Sequence, residues 1–144
     1  MKNVFFLLLI SISLFSCKKD DTNSSNSTIT TVNLAATAST GTWRITYYYD
    51  TDHEETANFA GYAFTFAGGN VLTATKAGSA TVTGTWTTGL DDSKVKLILS
   101  FATPANFNEL SDDWHVTSRT DTKIIMTDVS GGNGGTDFLT FEKN

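Results

Sequence analysis

From residue 41 onward, short runs of alternating apolar and polar residues are separated by clusters rich in Gly, Asp and Asn. Period-two alternation sends successive side chains to opposite faces of an extended strand, whereas an amphipathic helix repeats its apolar positions about every three to four residues. No stretch of useful length in this part of the chain has the helical repeat. Runs at 42–49, 58–66, 70–76, 80–88, 94–102, 114–120, 123–129 and 137–143 predict eight strands. In the first, Trp43, Ile45, Tyr47 and Tyr49 share one face and Arg44, Thr46 and Tyr48 the other; in the fifth, Val95, Leu97, Leu99 and Phe101 oppose Lys94 and Lys96. The connections, among them Gly68-Gly69-Asn70, Gly78-Ser79, Asp121-Thr122 and the glycine-rich 131–135, are short and carry residues that tolerate positive φ. Hairpins in series make an antiparallel meander, and eight strands can close into an up-and-down barrel with no exposed edge. The expected fold class is therefore all-β, an eight-stranded antiparallel barrel. One connection differs: Thr103-Pro104 followed by Phe107 and Leu110 predicts one short helical turn, with Thr103 as cap and Pro104 at the first helical position, lying over a barrel end.

The first 40 residues have another pattern. Lys2 precedes an apolar stretch from Val4 to Ser13, too short to span a bilayer, and Leu14-Phe15-Ser16-Cys17 follows. A leucine three positions before a cysteine, with a small residue next to it, has the form of the lipobox that lipoprotein signal peptidase reads. Residues 1–16 are thus expected to be a signal peptide and Cys17 the lipidated N-terminus of the mature chain. Each buried methylene of an acyl chain contributes about 0.8 kcal/mol, and several chains on one cysteine make a stable anchor. Lys18-Lys19-Asp20-Asp21 and a Ser/Thr/Asn-rich stretch come next, so 17–40 reads as lipidated cysteine and flexible tether, with a reach of about 20–25 Å. The folded domain is expected at 41–144. The expected location is the outer membrane by lipid anchor, facing the periplasm or the cell surface.

Composition narrows the function. The chain has 144 residues, so the 16 before Cys17 leave 128, enough for one domain. Net charge is -5, or -6 once Lys2 is removed, which repels phosphates and argues against a nucleic-acid partner. The single cysteine leaves no internal disulfide.

Several short motifs, in order, carry a resemblance: Gly41-Thr42-Trp43-Arg44, Glu55-Thr56, the run from Gly61 to Phe66, Gly84-Thr85-Trp86, Asp112-Asp113-Trp114 and the run from Phe138 to Lys143. Together with the lipoprotein start, this series resembles the lipocalin-like lipoproteins of Bacteroidetes, and Gly41-Thr42-Trp43 is similar to the Gly-x-Trp of lipocalins. The resemblance implies a barrel or near-barrel and carries no catalytic residues. The sequence departs from true lipocalins in having its helical turn between the fifth and sixth strands. It also has no arginine near the C-terminus to stack on Trp43.

Candidate chemistry is sparse. Asp50-Thr51-Asp52-His53-Glu54-Glu55 opens like a calcium loop, but Glu55 and Gly61 stand where an EF-hand needs Gly and Glu, so a solvated hairpin is expected. His53 and His115 lack the partners of a zinc site and are expected at the surface. No Gly-x-Ser-x-Gly or phosphate-binding loop occurs. The pairs Asp91-Asp92 and Asp112-Asp113 are expected in turns, facing water rather than each other across a cleft. No enzyme, metal or cofactor is expected. The aromatic set is richer: Trp43, Tyr47, Tyr62, Phe64, Phe66, Trp86, Phe101, Trp114 and Phe141 are expected largely inward. They either fill the barrel or line a cavity for one small apolar ligand, Trp43, Tyr47, Phe64, Phe66, Trp86, Phe101 and Trp114 being the candidate ligand-binding or core residues. A filled barrel would act instead as a structural module or one that binds envelope proteins or glycans, through an exposed aromatic patch expected to include Tyr48 and Phe59.

Overall fold

Uninterrupted alternation gives uninterrupted strands. In β6 (Lys94–Ser100), Val95, Leu97 and Leu99 are buried while the residues between them face out. The same logic forms β4 (Val71–Thr75), β5 (Val82–Asp91), β7 (Asp113–Arg119), β8 (Lys123–Val129) and β9 (Thr136–Lys143). These join β1 (Trp43–Asp50), the two-residue β2 (His53–Glu54) and β3 (Ala63–Phe66) in a computed structural model that describes residues 28–129 and 135–144. Cys17, the signal sequence and most of the 131–135 turn lie outside the described residues.

The strands pair in the order β2-β1-β3-β4-β5-β6-β7-β8-β9, all antiparallel, and β9 returns to β1 from Trp43↔Lys143 to Tyr49↔Phe138. That pairing closes an eight-stranded up-and-down barrel, with β2 as a small hairpin on the edge of β1. β1 meets β3 only at Trp43↔Phe64. Beyond it the seam is filled by a 3-10 turn, Thr56–Phe59, whose Thr56 hydroxyl accepts from the Tyr48 amide at 2.8 Å. The expected strand over 58–66 therefore begins only at Ala63. Phe59 drops into the interior instead of alternating, and Gly61, at φ +81°, turns the chain back into register.

Two helices close the ends. The short α2 (Ala105–Asn108) lies between β6 and β7, where one helical turn was expected; Pro104 is its N-cap residue rather than its first helical position. The other, α1 (Thr31–Ala38), occupies part of the stretch expected to be tether. Thr30 and Asn33 form a reciprocal capping box, and Ile29 and Leu34 flank it as a hydrophobic staple. Leu34 and Ala38 are buried and Ile29 packs against the core, so the folded unit includes residues well before the expected start at 41. Among the described residues no helix is long and apolar enough to cross a membrane.

Candidate functional site

A barrel of eight strands has an interior just wide enough for side chains to fill, and here they do. Trp43, Phe64, Phe66, Phe101 and Trp114 are fully buried and Trp86 nearly so, as expected of inward positions. Apart from Trp43, these rings join others in one continuous network. Trp114 meets Tyr48 edge-on at 6.3 Å, Tyr48 meets Phe59 at 5.5 Å, and Phe59 meets Phe107 at 5.3 Å. From there Phe64, Phe141, Phe66 and Trp86 follow in contacts of 5.3 to 6.1 Å. Contacts of this length, most of them edge-to-face, are those of rings packed directly on one another.

Both ends are closed by the same device. Each tryptophan has one N–H, and each donates it to a carbonyl of an end element: Trp43 to Ala38 of α1 at 2.9 Å, Trp114 to Leu110 after α2 at 3.0 Å, and Trp86 to Ala67 in the β3–β4 turn at 2.9 Å. Phe107 and Leu110, fully buried, plug the end where β1 finishes; α1 covers the end where β1 begins. Lys143 places its ammonium 5.2 Å from the Trp43 ring, supplying a cation from the C-terminal strand.

Tyr47 is the exception among the candidate residues. It is 39% exposed on the outside, while Tyr48 is buried. The β1–β9 register shifts between Ile45 and Tyr47. This bulge inverts the alternation, since one extra residue moves every later side chain to the other face. The expected surface patch on Tyr48 and Phe59 is overturned too: the bulge turns Tyr48 inward, and the 3-10 turn drops Phe59 into the interior. The outward aromatic cluster is instead exposed Tyr47 and Phe138 with half-buried Tyr49, Tyr47 and Tyr49 stacked at 6.5 Å and Phe138 6.4 Å from Tyr47 and 6.3 Å from Tyr49.

Titratable groups gather where β1 finishes. The Tyr48 hydroxyl donates to the Glu109 carbonyl at 2.9 Å, and burial, with Asp50, Glu109 and Glu55 nearby, raises its pKa so far that the phenol stays neutral. His53 stands between Asp52 and Glu55, 2.5 Å from each, and hydrogen bonds to these carboxylates raise its pKa. The acidic run thus folds back on itself as a hairpin turn. His115, partly buried and near Lys94 and Lys96, is shifted down, chiefly by burial. Asp112 and Asp113 do not simply face water: with Asp128 they bring carboxylate oxygens within 4.8 Å of one another, and Lys96 answers Asp113 at 3.4 Å. Burial first, then these acidic neighbours, push Asp112 up. Two open depressions lie at the barrel ends. One of about 410 Å³ is lined by Tyr62, Val82, Thr103 and Pro104, and one of about 430 Å³ by Asn33, Thr37, Arg119 and Lys143.

No family model matches this sequence, and no curated protein gives a significant match. The functional reading therefore rests on the sequence and the geometry.

Proposed function

We propose that this chain is a lipid-anchored, non-enzymatic module of the bacterial outer membrane, a lipocalin-like barrel that works through its outer surface by engaging an envelope partner. One observation carries the choice between carrier and interaction module: the aromatic network runs unbroken through the barrel and both ends are plugged. A carrier for a small apolar ligand would need an enclosed apolar pocket with a few polar groups aimed into it. The interior here is occupied by the protein's own rings, and the three indole donors are spent on the end elements.

The anchor rests on the lipobox form of the sequence before Cys17 and on the polar stretch that follows. Two measurements test the proposal. Cys17→Ser protein is expected to leave the membrane fraction, and its retention there would remove the anchor. Titration with a naphthalene-based fluorescent probe is expected to give no saturable binding inside the barrel, and a one-to-one enhancement would restore the carrier reading.

A further inference from the structure

The clustered rings of Tyr47, Tyr49 and Phe138 lie outside the core. They lie on the outer face of β1 and β9, with Tyr49 directly opposite Phe138, Glu54 opposite Tyr49 on one side, and Thr127 of β8 opposite Phe138 on the other. Val129, 66% exposed, extends the apolar face along β8. Aromatic rings on a rigid sheet lose little freedom on docking and are favoured at the centres of interfaces.

Charge selects the partner. At this end the exposed acids beside the aromatic face are Glu54, paired with Tyr49, and Asp52 in the β1–β2 turn, with His53 between them; Asp50 and Asp128 alternate to the other face of the sheet, and Asp137 is buried, accepting from the Thr51 amide. The lysines and arginines of these strands, Arg44, Lys123 and Lys143, sit at the opposite end, held by Glu142 or lying over Trp43. That opposite end is where α1 enters the barrel. A domain tethered through its N-terminal segment would present the acidic, aromatic end away from the membrane. Electron-rich ring faces attract cations, and a surrounding acidic field steers them in. A second copy of the chain is a poor fit, because a two-fold contact would set Asp52 and Glu54 of one copy against the acidic groups of the other.

We propose that the outer β1–β9–β8 face around Tyr47, Tyr49 and Phe138 docks an extended, Arg- or Lys-bearing segment of a protein partner. Three rings and a short apolar margin cover less than a standard interface of about 1,600 Å², so the encounter is reversible and peptide-like. This deepens the interaction-module reading and rests on it.

The test uses the full chain purified in detergent, with a labelled decapeptide alternating Arg and Ser as probe, followed by fluorescence anisotropy. The Arg peptide is expected to bind at least about tenfold tighter than its Glu counterpart and to weaken as salt is raised. The double variant Tyr47→Ser with Phe138→Ser should lose about tenfold in affinity, and Glu54→Lys should lose several-fold, with melting temperatures close to that of the parent protein. Full affinity in the double variant would overturn the proposal by reducing binding to net charge. Equal binding of a neutral oligosaccharide, or concentration-dependent dimerisation abolished by the same variants, would overturn it in favour of a glycan or a second copy. Failure of the interaction-module reading registers separately, as a small apolar probe bound with equal affinity by the parent protein and the surface variants.

Discussion

Phe107→Ala asks most sharply whether the barrel is full. The ring is fully buried at the end where β1 finishes, 5.3 Å from Phe59, 5.0 Å from Tyr62, 6.1 Å from Phe64 and 5.3 Å from Phe101, all between centroids. Truncating a buried phenylalanine to alanine removes its transfer free energy and leaves a cavity that rigid neighbours cannot collapse, costing about 3–5 kcal/mol. Against a typical total of about 5–15 kcal/mol, that is a large share. With a urea m-value of about 1.5 kcal/mol per molar, the midpoint followed by tryptophan fluorescence should fall by about 2–3 M. The vacated space is apolar and of benzene size, so benzene should return about 2.7 kcal/mol at a hundredfold excess over its dissociation constant. Benzene should leave the parent protein's midpoint unchanged. A loss below about 1 kcal/mol, or equal stabilisation of the parent protein by benzene, would mean that the interior is already hollow and would refute the packing argument.

Other outcomes follow from the same geometry. Tyr48→Ala is expected to cost about 3–5 kcal/mol and Tyr47→Ala under about 1 kcal/mol in equilibrium unfolding; the reverse order would remove the β1 bulge. Gly84→Ala would place its methyl 2.5 Å from Cδ1 of Phe101 and against the Ser100 carbonyl, so a loss of about 1–3 kcal/mol is expected, and a neutral result would contradict the close approach of β5 and β6. In NMR titrations His53 should titrate above 6.5 and His115 below it, and the opposite order would contradict their surroundings. Because the folded pKa of His53 is raised, its contribution to stability is full below the unfolded value and disappears as pH rises through the folded one.

How much of this was legible in the sequence varied with the physics of each element. β6 was plain because its alternation of Val95, Leu97 and Leu99 is unbroken. β1 misled from Tyr47 onward because a bulge is a tertiary accommodation to β9, and seven residues that are mostly aromatic or β-branched suit either face. α1 had a signal in the Thr30/Asn33 capping box and the Ile29/Leu34 staple, hidden within a Ser/Thr/Asn-rich stretch of low hydrophobicity. The plug on α2 was visible as Phe107 and Leu110 spaced for one helical face. Cavity or core could not be read from the aromatic residues alone, since that distinction lies in how the rings meet. The external Tyr47–Tyr49–Phe138 cluster depended on the same bulge and on β9 closing against β1.

The central claim is that the barrel carries nothing inside it. Non-denaturing mass spectrometry of the protein purified from its native cells tests this directly. The expected result is the mass of the covalent chain alone, the same under native and denaturing conditions. A discrete non-covalent adduct, present once per chain and retained in the gas phase, would contradict it.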